Sequence, residues 1–320
     1  MNIYRHSGRR RGWLMAALLG LAVSMGTAPA LAAVERHKST SAKKHRHHKV
    51  SKAAHKKVAH RIVHEDLSKL TLSSNAAMVL DQATGAVLFE KNAGAVLPIA
   101  SITKLMTAMV ALDARPDLEE TMVIDDADVD TLKGTHSRLK VGTQLQREDM
   151  LRLALMSSEN RAASALSRYY PGGRPAFVAA MNRKAQTLGL QDTHFADPTG
   201  LTAQNVSSAR DLAKMVGAAQ HYPLIRQFTT TSEYEVTVAG RTQEFRNTNS
   251  LVRSSSWDIS LSKTGYINEA GRCLVMQAWL NNKPTIIVLL DSIGKMTRLG
   301  DANRIKHWVE NGATRRLATG

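Results

Sequence analysis

A chain of 320 residues is long enough for one large domain or two smaller ones with a sizeable core. With 43% hydrophobic and 22% charged residues it is globular in bulk, which excludes a chain disordered or membrane-embedded along its whole length. The net charge of +16 is uneven: residues 1–66 hold 14 Lys/Arg against three acids, +11, while residues 67–320 keep 29 against 24, +5.

In chain order, Arg5, Arg9, Arg10 and Arg11 precede an apolar run from Trp13 to Gly26, and Ala30-Leu31-Ala32 follows. A cationic start, a short apolar core and an A-x-A ending predict a cleaved secretory signal over 1–32, by the general secretory route or, given the adjacent arginines, a twin-arginine one. The run is too short to cross ~30 Å of hydrocarbon as a helix, so the mature chain is expected outside the cytoplasm, soluble or peripherally attached. Residues 33–66 carry seven of the twelve histidines and no aromatic residue, the composition of a disordered basic arm. His45, His47 and His48 have no acid or cysteine beside them to complete a metal site, so no metal is expected there. Nucleic acid is not expected as a partner of an exported arm without aromatic platforms. Electrostatic contact with an anionic envelope polymer or membrane surface and a plain spacer role both fit the charge.

From residue 67 the texture is that of one globular unit ending at 320. "AAMVLDQATGAVLFEKN" (76–92) reads as a β-hairpin around Ala83-Thr84-Gly85. "ASITKLMTAMVALDA" reads as an amphipathic helix with Ile102, Leu105, Met106, Met109 and Val110 on one face. Residues 126–229 carry four helical stretches, "QREDMLRLALMS", "SENRAASALSRYY", "RPAFVAAMNRKAQTLGL" and "SSARDLAKMVGAAQHYPLIRQFTT". Short β runs follow, "SEYEVTVAG", "TQEFRNTN", "WDISLSKTG", "RCLVMQAWL" and "KPTIIVLLDS", and a last helix closes the chain. The single cysteine, Cys273, falls in one of these strands and reads as a small buried hydrophobe. Strands at both ends with helices between predict an α+β fold. Its split antiparallel sheet (about 67–125 and 230–320) encloses an inserted helical lobe (about 126–229).

Three motifs carry chemistry. Ser-x-x-Lys occurs five times, from Ser41, Ser101, Ser137, Ser260 and Ser292, but only Ser101-Ile102-Thr103-Lys104 stands at a predicted helix start. There Lys104 shares a helix face with Ser101, and the positive end of the helix dipole favours an alkoxide and a neutral lysine. Burial and neighbouring positive charge would keep that lysine neutral and able to act as a base. A helix cap beside a surface lysine is the bland alternative. Ser158-Glu159-Asn160 lies at a polar break between two helices, where its side chains can project into a cleft: a hydroxyl to relay a proton, a carboxamide to hold an amide. Lys263-Thr264-Gly265 ends an apolar strand, where Lys263 and Thr264 suit a carboxylate and Gly265 allows close backbone approach along the strand edge.

In that order the three motifs resemble the signature of serine β-lactamases and penicillin-binding proteins, with Glu159 in place of the usual Asp. "LPIASITKLMTAMV", "LMSSENRAA", "FADPTGL", "SSARDLAKM" and "KTGYINEAGRCLVM" extend the likeness over about 74–310. The resemblance is to the low-molecular-mass penicillin-binding proteins, serine D-alanyl-D-alanine peptidases, and within them to the periplasmic D-alanyl-D-alanine endopeptidases. It implies a β-lactamase/transpeptidase-like fold and peptidoglycan stem peptides as substrate. It also implies β-lactams as acylating inhibitors and no metal or organic cofactor. Ser101 is implied as nucleophile, Lys104 as base and Ser158 as proton relay. Asn160, Lys263, Thr264 and Gly265 are implied as substrate-binding, and the backbone N–H groups of Ser101 and Tyr266 as the oxyanion hole. A D-alanyl-D-alanine carboxypeptidase shares every one of these residues. A β-lactamase would add a Glu-x-x-x-Asn stretch, for which the nearest candidate, Glu244, has Thr248 in the wrong place. A non-catalytic envelope-binding protein would leave the intact motifs unexplained.

Overall fold

A computed structural model describes residues 70–318 apart from 239, with side chains through residue 312. The expected signal segment, the basic arm and its histidine cluster lie outside the described residues. In chain order the elements begin with β1 (Ala76–Asp81), β2 (Val87–Lys91) and β3 (Leu97–Pro98), then a 3₁₀ turn (Ala100–Thr103) running into α1 (Lys104–Asp113). The middle holds β4 (Thr121–Val123), β5 (Gln144–Gln146), α2 (Arg147–Met156), α3 (Asn160–Arg168), α4 (Gly173–Thr187), β6 (Val206–Ser207), α5 (Ala209–Ala219) and α6 (Pro223–Thr230). Last come β7 (Glu233–Val238), β8 (Arg241–Arg246), β9 (Ile259–Ile267), β10 (Gly271–Leu280), β11 (Lys283–Ser292) and α7 (Thr297–Ala318).

The main sheet has the order β2-β1-β11-β10-β9, with every pair antiparallel. β1 pairs with β11 over its whole length, Ala76 opposite Leu290, so the first hairpin joins the last strands as the sequence suggests. Both faces of the sheet are covered, and this is why β10 and β11 read as unbroken apolar runs. Ala76, Met78, Cys273, Val275 and Val288 face the helices of the middle segment. Ala77, Val79, Leu274, Met276 and Leu289 face Ala302 and Ile305 of α7.

Three expectations change. The helix at 100–114 is buried from Lys104 to Ala111 on all sides, not on one face, because α3, α4 and α5 pack around α1. Its one awkward hydroxyl, Thr107 Oγ1, donates to the Pro198 carbonyl at 2.6 Å. The last predicted helical stretch breaks into α5 and α6, since Pro223 cannot continue a helix but suits the first turn of the next. The hairpin β7–β8 forms its own two-stranded sheet. Val236, Val238 and Phe245 are buried while Glu235, Thr237 and Arg241 are exposed, and a strand with one wet face cannot sit inside a sheet covered on both sides. No helix among the described residues is long and apolar enough to cross a membrane.

One buried carboxylate fastens the start of this unit to its end. Asp301 of α7, with no exposed surface, accepts from Ser73 N (3.0 Å), Ser74 N (2.7 Å) and Ser74 Oγ (2.5 Å), and from Arg304. Burial favours its protonated form, but the bonds from Ser74 and Ser73 win and hold its carboxyl below the usual range. Its contribution to stability is therefore present at neutral pH and fades as pH falls through that lowered value. Asp301→Ala is expected to cost about 3 kcal/mol in urea unfolding at neutral pH, because several donors lose their acceptor together.

Candidate active site

The backbone that carries Ser101 is strained. Ala100, with no exposed surface, sits at φ +47°, a region where a non-glycine residue persists only if its surroundings over-determine it. Two glycines supply that constraint. Gly200 has φ +82°, and a Cβ there would lie 2.0 Å from the Ala100 carbonyl oxygen. A Cβ at Gly265 would lie 2.8 Å from the Ile99 oxygen and 3.3 Å from the Ser101 nitrogen. The turn is held between the 197–202 loop and β9, with room on either side only for glycine. Gly265, expected to admit a ligand's backbone, admits the Ser101 turn itself.

Ser101 lies in the 3₁₀ turn ahead of α1, one step before the α-helix that its spacing predicts. In that tighter geometry residues three apart eclipse, and Lys104 Nζ comes to 3.0 Å from Ser101 Oγ. Lys104 is fully buried, and Nζ also donates to Asn160 Oδ1 at 2.8 Å and to the Thr199 carbonyl at 2.6 Å. Burial lowers its pKa to about 7, against the opposing pull of Asp197 and Glu159. Desolvation is the main cause of the lowering, and Lys263 places the expected cation nearby. Asn160 Oδ1 and the Thr199 oxygen can only accept. A neutral Lys104 thus keeps its two hydrogens on them and turns its lone pair toward Ser101 Oγ.

Ser158 bridges α2 and α3 at φ +64°, and its Oγ accepts from Lys263 Nζ at 2.9 Å. Lys263 is buried inside β9, not at its end. Burial first, then Lys104 and Arg298, push its pKa well below that of a free lysine. Thr264 Oγ1 donates to Thr248 Oγ1 at 2.6 Å. Asn160 opens α3 and donates through Nδ2 to Thr135 Oγ1 at 3.1 Å, so both ends of its amide already have partners. Glu159 is buried and turned aside, accepting from Ser137 Oγ at 2.6 Å. The side chain of Tyr266 is exposed at the rim under the Arg272 guanidinium.

Ser101, Ser158, Asn160, Thr264 and Gly265 line one cleft of about 440 Å³, and β9 is the free edge of the sheet beside it. No Asp or Glu is among the described residues that line it. Glu244 is exposed on β8 and paired with Arg246, so it supplies no base.

Sequence reasoning missed two groups. Arg298, in the first turn of α7, donates NH1 to the Gly265 carbonyl at 3.0 Å, and it has no carboxylate partner among the described residues. Nothing local in "MTRLGD" signals that reach. The second is the turn at Asp197. Its Oδ1 accepts from Thr199 N and Gly200 N, both at 2.6 Å, and Asn205 Oδ1 accepts from Ala196 N at 2.7 Å. Together they aim the Thr199 carbonyl at Lys104, and the Asp-Pro-Thr-Gly turn signature was the readable trace of this loop.

A family model described as D-alanyl-D-alanine carboxypeptidase, peptidase S11, matches residues 61–294. The D-alanyl-D-alanine endopeptidase of Pseudomonas aeruginosa is 51% identical over 245 residues, 75% of this chain and 78% of that protein. That of Escherichia coli K12 is 49% identical over 247 residues, 77% and 80%. The Streptomyces K15 DD-transpeptidase superposes with a TM-score of 0.70 at 29% identity, covering 75% of this chain and 98% of that one. The expected transpeptidase-like fold is borne out, and the chain belongs to the D-alanyl-D-alanine carboxypeptidase family, peptidase S11, as a serine hydrolase.

Proposed function

We propose that the protein is a D-alanyl-D-alanine endopeptidase that cuts cross-links between peptidoglycan stem peptides through an acyl-enzyme on Ser101. The observation that carries this is the bond from Lys104 Nζ to Ser101 Oγ, with Asn160 and Thr199 holding the other two positions on Nζ. Neutral Lys104 takes the hydroxyl proton as Ser101 Oγ attacks the D-alanyl carbonyl. The backbone N–H groups of Ser101 and Tyr266 hold the oxyanion, each such donor being worth ~3 kcal/mol. The proton then passes through Ser158, which Lys263 orients, to the leaving amine, and water resolves the ester. Asn160 turns one amide hydrogen to the substrate. Lys263, Thr264 and Arg298, which has no carboxylate partner among the described residues, form the donor-rich wall that receives the carboxylate beside the cleaved bond.

In this reading residues 67–320 are the peptidase, the segment 1–32 exports it to the periplasm, and the basic arm adds attraction to anionic envelope polymers. The identities of 51% and 49% to proteins named endopeptidases support the choice of bond. Digestion of purified cross-linked and uncross-linked muropeptides by the protein tests it: dimers should yield monomers. Release of free D-alanine alone would make it a carboxypeptidase. A penicillin adduct that turns over within seconds would make it a β-lactamase.

A further inference from the structure

A second cleft, of about 500 Å³, opens at the other end of the sheet from the catalytic turn, between β9, β10, the β1–β2 turn, the end of α5 and the start of α6. Its construction is not that of incidental surface. Trp279 of β10 lies in it with 44% of its surface exposed, whereas Trp257, at 8%, is packed in the α7 cluster. Beside it Gln277, only 3% exposed, interrupts the apolar run from Cys273 to Leu280. Ser260 lines the same cleft because a bulge in β9, between the partners of Gln277 and Ala278, leaves it as the extra residue.

The amides in this cleft are half-paired. Gln220 Nε2 gives its two hydrogens to Ser260 Oγ (2.9 Å) and Gln277 Oε1 (2.7 Å). Gln277 Nε2 then has no acceptor among the described residues, and Gln220 Oε1 has no donor. Whichever way the two amides are turned, their mutual bond leaves one donor and one acceptor side by side. Both atoms are open to the cleft, where a ligand that matches them can take the place of water. The complement of such a pair is a secondary amide, whose C=O accepts from one and whose N–H donates to the other. The indole face alongside is an apolar platform for a flat or ring-shaped neighbour. Arg226, without a carboxylate partner among the described residues, adds donors for hydroxyl or ether oxygens.

We propose that this cleft is a non-catalytic subsite for an N-acetylated amino-sugar glycan: the acetamido group meets Gln277 and Gln220, and the sugar ring lies on Trp279. Only the choice of a wall polymer as ligand rests on the reading given above. Ser260 and Lys263 are three residues apart on one strand, about 10 Å. The enzyme could therefore grip a glycan strand while a stem peptide from the same polymer occupies the catalytic cleft.

The test uses the purified full-length protein, with peptide-free glycan strands prepared by amidase digestion of peptidoglycan, and chitotetraose, as probes in a tryptophan-fluorescence titration. Saturable binding is expected, weakened about tenfold in Trp279→Ala. Trp279→Ala should keep the wild-type rate of penicillin acylation and of cleavage of soluble dimeric muropeptides, but lose activity on intact sacculi. Gln277→Leu should weaken binding as well, and because Trp279 is exposed its variant remains informative even if Gln277→Leu does not fold. Absence of saturable binding by the wild type, or equal binding by Trp279→Ala, would overturn the proposal. So would displacement by free stem peptide and not by chitotetraose, which would mark a peptide subsite. Loss of penicillin labelling in the wild type would sink the peptidase reading instead, and leave the glycan titration to stand by itself.

Discussion

Lys104→Met is expected to slow the acylation of Ser101 by benzylpenicillin about 1,000-fold, the usual scale for losing a positioned base. The variant keeps the length of the stem but has no lone pair to aim at Ser101 Oγ. In the wild type the acylation rate should rise with pH and level off above about 7, where Lys104 becomes neutral. Below that value it should fall about tenfold per unit of pH, since only the uncharged fraction can accept the proton. Stopped-flow acylation across this range checks both statements. A rate unchanged well below neutrality would exclude Lys104 as the base. Circular dichroism guards the comparison, because Asn160 Oδ1 and the Thr199 carbonyl lose their donor in the variant.

Gly200→Ala should remove about 4 kcal/mol of stability, near the upper end for a single substitution. The added Cβ meets a backbone oxygen and not a flexible side chain, so nothing nearby can yield cheaply. What moves is the turn that carries Ser101, and a displacement of about 1 Å at a reacting group can cost ~100-fold in rate. Gly85→Ala is the matched control. Its φ of +72° is similar, but nothing lies within 4 Å of the new Cβ. It should cost about 1 kcal/mol and leave acylation untouched. Equal losses in the two variants would show that backbone conformation matters and the close approach does not.

The parts of the site that the sequence revealed are side chains whose chemistry is local. Ser101 and Lys104 lie within one turn, Ser158 and Asn160 share one break between helices, and Lys263 and Thr264 share one strand. Each has a spacing that a short stretch of chain can display. The parts it concealed act across the fold. Thr199 contributes a backbone carbonyl, which every residue has, so its identity carries no signal. Arg298 stands 33 residues beyond Gly265 and meets it only after α7 has docked. The fold follows the same division. β10 and β11 were readable because burial on both faces writes an apolar run into the sequence. The separate β7–β8 sheet is not legible, because alternation reports one wet face without naming the neighbour on the dry one. The all-round burial of α1 was hidden by Lys104, which looks like a polar face and is fully buried.

The tie between Ser74 and Asp301 also sets an order of events during synthesis. Ser101 is made in the first third of the chain, but β1 has no partner on its inner side until β11 exists. The cleft lacks Arg298 until the last helix begins. A growing chain therefore carries an incomplete cleft and an open sheet edge through most of its elongation, the state most open to wrong pairing. Contacts so distant in sequence also slow the final closure. Hydrolytic activity should appear late and all at once, when the carboxyl-terminal helix fastens onto the segment ahead of the first strand.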